Sequence, residues 1–148
     1  MKNMSIRKIS VFFLTIIVFC ISTLTAFAAE DKFEYNIDTK AYPYFGYTSS
    51  HYLRTTTRTN NPWKVDARMS TEGDGTIMMY EICYKNGALW PSSAEKLEAV
   101  ACNSGSHYFK ANKNAANKDT YLRVRNNNNT DKCYNVKGYW DEETGGTI

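Results

Sequence analysis

The stretch Trp63-Lys64-Val65-Asp66-Ala67-Arg68-Met69 carries an apolar side chain at every second position. Trp63, Val65, Ala67 and Met69 alternate with Lys64, Asp66 and Arg68, a period of two that suits a half-buried strand and cannot line one face of a helix. Next to it, Glu72-Gly73-Asp74-Gly75 predicts a turn, because its glycines take positive φ without a steric cost. Thr76–Tyr84 then predicts a second strand, with Met78, Tyr80, Ile82 and Tyr84 on one face and Ile77 and Met79 on the other. Asn86-Gly87 is a type I′ hairpin signal that returns the chain through Leu89 and Trp90. On the N-terminal side, Phe33, Tyr35 and Ile37 alternate in the same way until Pro43.

Ser92–Ala101 supports two readings. Ser92 and Glu95 form a capping-box pattern with Leu97, Val100 and Ala101 at helical spacing, whereas Leu97, Ala99 and Ala101 also alternate as in a strand. The neighbouring strands tip the expectation towards strand. Asn112–Asp119 predicts a polar loop, and Thr120–Asn126 a strand with Leu122 and Val124 opposed to Tyr121, Arg123 and Arg125. Tyr134, Val136 and Trp140 line a last strand, interrupted by Gly138 and closed by a polar turn over Asp141–Gly146. About seven short strands with regular turns predict an all-β fold, a single antiparallel β-sandwich of jelly-roll or Ig-like type.

The first 28 of the 148 residues have another character. Lys2, Arg7 and Lys8 precede an uncharged run from Ile9 to Ala29, and Ala26-Phe27-Ala28 supplies the small residues a signal peptidase needs. A signal peptide over 1–28 and a secreted domain over 29–148 are therefore expected. A permanent anchor is disfavoured by Thr15, Ser22, Thr23 and Thr25 within the run and by Glu30 and Asp31 directly after it. A lipoprotein is disfavoured by Val18-Phe19 before Cys20. Without Lys2, Arg7 and Lys8, 15 of the 18 basic side chains remain against 15 acidic ones, so the mature chain is formally neutral. That balance excludes a nucleic-acid binder driven by bulk charge.

After export, Cys83, Cys102 and Cys133 remain, an odd number in an oxidising compartment. Counting strand reversals puts Cys83 and Cys133 at one end of the sandwich and predicts a disulfide between them, with Cys102 free; a helix or separate strand at Ser92–Ala101 would undo that parity. No cysteine pair is spaced C-x-x-C, and only His51 and His107 offer ring nitrogens, so neither a zinc site nor another cofactor is expected. Glu72, Asp74 and the run Asp141-Glu142-Glu143 are the carboxylates that calcium binding or a glycosidase pair would draw on. Asn128-Asn129-Thr130 matches a glycosylation sequon. Tyr42, Tyr44, Phe45, Tyr47 and Tyr52 crowd a segment too irregular to bury them all by alternation. With Trp90, the tyrosines Tyr42, Tyr44, Tyr47 and Tyr52 are candidates to stack on sugar faces; the alternative is that they cap an open end of the sandwich.

Asn61-Pro62-Trp63-Lys64-Val65, Ser70-Thr71-Glu72-Gly73-Asp74-Gly75-Thr76 and Gly138-Tyr139-Trp140-Asp141-Glu142-Glu143-Thr144-Gly145 resemble small exported proteins of Gram-positive bacteria grouped as domain of unknown function 2712. The likeness spans roughly His51 to Gly145. In general type, with a leader and an aromatic, polar, β-rich body, the chain is also similar to the lactococcin-972-like secreted bacteriocins. Neither resemblance implies catalytic residues. The expectation is a secreted, non-enzymatic protein acting at the bacterial cell envelope, bacteriocin-like. The alternative is a carbohydrate- or cell-wall-binding module using exposed Tyr and Trp, with a cell-wall or surface glycan as partner, and a small secreted hydrolase comes third. Neither a nucleic-acid partner nor a stable membrane anchor is expected, and the oligomeric state is not set by these residues.

The leader yields one direct expectation. Sequencing the N-terminus of protein recovered from culture supernatant returns Ala29 as the first residue. A start at Met1 or Glu30 would contradict that cleavage site, and recovery only in membranes would favour an anchor.

Overall fold

A computed structural model describes residues 31–40, 43–127 and 131–148. The leader, Tyr42 and the 128–130 sequon lie outside the described residues. The strands are β1 (Phe33–Asp38), β2 (Gly46–Tyr47), β3 (Tyr52–Arg54), β4 (Trp63–Ser70), β5 (Ile77–Tyr84), β6 (Glu98–Ala101), β7 (Ser106–Phe109), β8 (Lys118–Asn126) and β9 (Asn135–Asp141), with a 3-10 turn at Lys113–Ala115. One sheet has the order β1-β9-β4-β7 and the other β2-β8-β5-β6, with β3 also on β8, and every named pair is antiparallel. The two sheets pack together around one core, the antiparallel sandwich that the alternation predicts.

Each sheet supplies one wall of that core. Tyr35, Ile37, Val65, Ala67, Val136 and Trp140 come from the first sheet, and Met78, Tyr80, Ile82, Val100, Leu122 and Val124 from the second. The Tyr35 and Tyr80 hydroxyls meet across the gap at 2.9 Å, so two buried polar ends satisfy each other. Burial pushes both phenols well above their ordinary range, which keeps them neutral. Gly138 lies in register with Tyr35 on one side and Ala67 on the other. A Cβ there would be driven into the Asp66 carbonyl oxygen and would stand 2.9 Å from the Tyr35 hydroxyl.

The strand β4 departs from simple alternation. Trp63, Val65 and Ala67 are fully buried as expected, yet Lys64 is only 1 % exposed on the opposite face, and Asp66 is buried there too. Lys64 opposes Asp141 of β9 in register, and its Nζ reaches the Asp31 carbonyl at 3.5 Å, so the chain entering β1 covers it. A lysine is buried in this way only beside compensating oxygens. A register shift between Ala67 and Met69 then turns Met69 outward, 40 % exposed, and Ser70 inward. The expected core place of Met69 is thus corrected by a β-bulge.

Three further expectations are revised. Ser92–Ala101 is neither a helix nor one continuous strand. Ser93 accepts from Asn112 and donates to Ile82, and Glu95 donates to Lys110, so residues 92–95 are tied to both sides before β6 begins at Glu98. The Asn86–Leu89 bridge makes Gly87 and Ala88 the hairpin's two central residues, one place later than the Asn-Gly pair implies. Gly87, with φ 60°, occupies the first central position, as type II′ turns require.

Cys83 and Cys133 do not meet. Cys83 opposes Tyr121 near the start of β8, whereas Cys133 follows the far end of β8, where Asn126 opposes Met78. The strand β7, which the sequence reading leaves out, adds one reversal between Cys102 and β8 and inverts the parity. Among the described residues Cys83, Cys102 and Cys133 are free thiols, the first two buried and Cys133 exposed.

The packing makes position 138 a sensitive one. Gly138→Ala is expected to cost about 1–3 kcal/mol by overpacking, and Trp63→Ala about 3–5 kcal/mol by cavity formation. Urea melts read both; a Gly138→Ala variant as stable as the wild type would show the β4–β9 register to be wrong.

Candidate functional site

The strand β8 sits between β5 on one side and β2 and β3 on the other. Its Thr120, Leu122 and Val124 are fully buried towards the core. By alternation, Tyr121, Arg123 and Arg125 occupy the outer face, opposite Cys83, Glu81 and Met79 of β5, with Tyr47 of β2 opposite Arg123. The outer face of this sheet is where the aromatic residues gather.

Trp90 holds the centre. Its ring lies 4.6 Å from Tyr47 at a tilt of 37° and 4.9 Å from Tyr121 edge-on, and Tyr121 in turn lies 4.9 Å from the His51 ring. The Trp90 main chain is fixed from below, because Arg123 Nη1 donates to its carbonyl at 2.8 Å. The same guanidinium pairs with Glu81 at 2.7 Å and lies 4.3 Å from the Phe45 ring centroid. Arg123 and Glu81 are both nearly buried, which makes this a desolvated, multiply bonded pair rather than a mobile surface one. Cys83 is fully buried behind this face, and burial pushes its thiol up to about 12.

Beside these rings runs a cleft of about 470 Å³, lined by Tyr84, Lys85, Gly87, Asn117, Lys118, Asp119 and Tyr121. Lys85 Nζ stands 5.8 Å from the Trp90 centroid and Lys118 Nζ 5.4 Å from that of Tyr84. His51 Nε2 is 4.0 Å from Asp119 at the rim. Asn117 turns the chain into β8 with φ 54°, a left-handed conformation that asparagine tolerates better than most residues, and its N–H is anchored on the Arg54 carbonyl at 2.8 Å. The combination offers flat rings, two ammonium groups, an amide and a carboxylate around one opening. Such a set can stack on and hydrogen-bond a sugar.

Of the five aromatic candidates read from the sequence, Tyr47 and Trp90 come together here. Tyr44 is 70 % exposed. Tyr52 lies apart from this group: it is partly buried against the core, where its ring stacks on Phe33 at 3.4 Å and meets Trp140 edge-on at 5.6 Å. The sequence reading passes over Tyr84, Tyr121 and His51, although the alternation of Thr120–Asn126 already sets Tyr121 apart from the core face.

A second cleft of about 570 Å³ is lined by residues including Glu34, Asn36, Ser49, Arg68, Lys137 and Tyr139. It carries the same mixture of charges as the first cleft but lacks the ring cluster. The candidate carboxylates separate as well. Ser70, just before Glu72 and Asp74, opposes Val136, while Asp141 opposes Lys64 at the other end of the same ladder. The two acidic groups are therefore about 20 Å apart at roughly 3.3 Å per residue, too far for one calcium ion or a glycosidase pair.

The acidic end has its own electrostatics. Asp141 accepts from the Asp31 and Glu143 N–H groups, both at 2.9 Å, and Glu143 accepts from Thr55 and Thr56. Arg54, 1 % exposed, donates to the Glu142, Arg58 and Asn61 carbonyls. Burial is the main cause that pushes Asp141 up to about 6 and Glu142 up to about 7, with neighbouring carboxylates adding to the Glu142 rise. Glu142 Oε2 has no hydrogen-bond partner among the described residues.

A family model described as "Protein of unknown function (DUF2712)" matches residues 24–144. No curated protein and no solved structure matches the chain.

The raised carboxyls make stability depend on pH. Their ordinary values are 3.8 and 4.5, so between those values and about 6 to 7 the folded chain holds protons that the unfolded chain has released. Their contribution is fully present below about pH 4 and is lost as pH rises through about 7. Thermal melts across that range should show Tm falling with rising pH, and Glu142→Gln should flatten the fall. An unchanged slope in that variant would place the titration elsewhere.

Proposed function

The chain belongs to the DUF2712 family, and we propose that it is a secreted, non-enzymatic binding protein of the bacterial envelope that holds surface glycan. The observation that carries this reading is the ring group Tyr47–Trp90–Tyr121, gathered over β8 beside a polar cleft. Sugars present apolar C–H faces and dense hydroxyl edges. An aromatic surface next to Asn117, Asp119, Lys85 and Lys118 matches both demands. The support is preorganised: Arg123 fixes the Trp90 main chain and the Glu81 pair fixes Arg123, so little side-chain ordering remains to oppose binding. The bacteriocin-like role expected from the general type of the chain has no residue set to carry it, and binding is the more specific statement.

Retention on purified cell walls tests the proposal. Wild-type protein should be retained, and Trp90→Ala and Tyr121→Ala should each weaken retention about tenfold, the equivalent of roughly 1.4 kcal/mol. Melting curves must show both variants folded. Wild-type protein that passes through unretained, or variants held as firmly as the wild type, would overturn the reading.

A further inference from the structure

The charges around the aromatic face have a sign that the neutral composition of the mature chain does not suggest. Lys85, Lys118, Arg123 and Arg125 lie on this face or at its cleft, and all four stand near ring faces. The acids there are Glu81 and Asp119. Glu81 is buried and engaged by Arg123 at 2.7 Å, so neither member of that pair reaches a ligand as a bare charge. Asp119 lies at the rim, 4.0 Å from His51. What remains facing the opening is a surplus of cation. The side chain of the second sheet's Arg123 meanwhile serves as scaffold.

Lys85 and Lys118 differ from ordinary surface lysines in what holds them. Among the described residues their contacts are with the Trp90 and Tyr84 ring faces and not with carboxylates. An exposed cation–π contact is weak and releases its ammonium readily to an anion. Moving that ammonium onto a ligand anion also uncovers the ring for a sugar face, so one movement serves both halves of an acidic sugar polymer. Two ammonium groups at one opening steer an anionic ligand towards it even on a chain of zero net charge.

We propose that the ligand of this site is an anionic glycan polymer, with phosphate or carboxylate groups met by Lys85 and Lys118 while sugar rings stack on Trp90 and Tyr121. The inference rests on the glycan-binding reading above and narrows it to acidic ligands.

The test uses the mature protein with three immobilised probes: poly(glycerol phosphate), polygalacturonate and a neutral chitin oligosaccharide. At low salt an anionic probe should bind at least about tenfold more tightly than the neutral one, and about 0.5 M NaCl should remove most of that advantage. Preference for the phosphate or the carboxylate polymer identifies which anion is meant, and either supports the inference. The double variant Lys85→Ala/Lys118→Ala should lose the anionic preference while melting like the wild type. Equal, salt-insensitive binding to the neutral probe overturns this inference and leaves the glycan reading standing. Binding to none of the three overturns both. Retention on single-stranded DNA equal to that on the anionic glycans overturns it in favour of a nucleic-acid face.

Discussion

The hydroxyl contact between Tyr35 and Tyr80 holds the two sheets in one relative position, and the bare Cα of Gly138 makes room for it. Two phenols buried in an apolar interior would each carry an uncompensated polar end. Facing each other at 2.9 Å, they cancel that cost and specify where β1 must lie over β5. Gly138 lets the Asp66 carbonyl of β4 come close to β9, and one residue further on the ladder slips at the Ala67–Met69 bulge. The glycine, the bulge and the tyrosine pair thus form one constraint. Side chains of ordinary size pack normally only once it is met.

The strand β8 transmits that constraint to the outer surface. Leu122 and Val124 are locked into the shared core, so Tyr121 and Arg123, one residue away on the same backbone, have little freedom of their own. Arg123 then spends its donors on Glu81 and the Trp90 carbonyl. A desolvated ion pair contributes modestly to stability, because the cost of removing its charges from water offsets much of the attraction. Here its consequence is positional. It places an indole over a strand where a loop residue would otherwise be mobile, and rigid aromatic groups bind with a smaller entropic loss than mobile ones.

The end of the sandwich at the close of β9 uses charge differently. Lys64, Arg54, Asp141 and Glu142 are all buried within a few residues of β9's end, where backbone carbonyls and N–H groups supply most of the partners. Carboxyls in that setting remain protonated at pH values where exposed ones are ionised. This region closes the sandwich, since Arg54 ties β3 to the chain after β9 and to the loop at Arg58 and Asn61.

Alternation in Phe33–Ile37, Trp63–Ala67, Thr76–Tyr84 and Thr120–Asn126 determined the β class, the core faces and the glycine turn at Glu72–Gly75, because side-chain period is a local property of the backbone. It could not determine what covers a strand's second face. Lys64 and Asp66 read as solvent-facing from period alone and are buried only because Asp31 and β9 come to lie against them. Short strands escaped the same reading: β7 has four residues and β2 two, too few for a period to emerge. Missing β7 reversed the direction of everything after it and with it the place of Cys133. The site followed the same rule. The sequence marked Tyr47 and Trp90 as candidate aromatics, but only the pairing of β2 with β8 and the Arg123 anchor brought them to Tyr121, since contacts about 30 or more residues apart are set by strand order and register and not by neighbours in the chain.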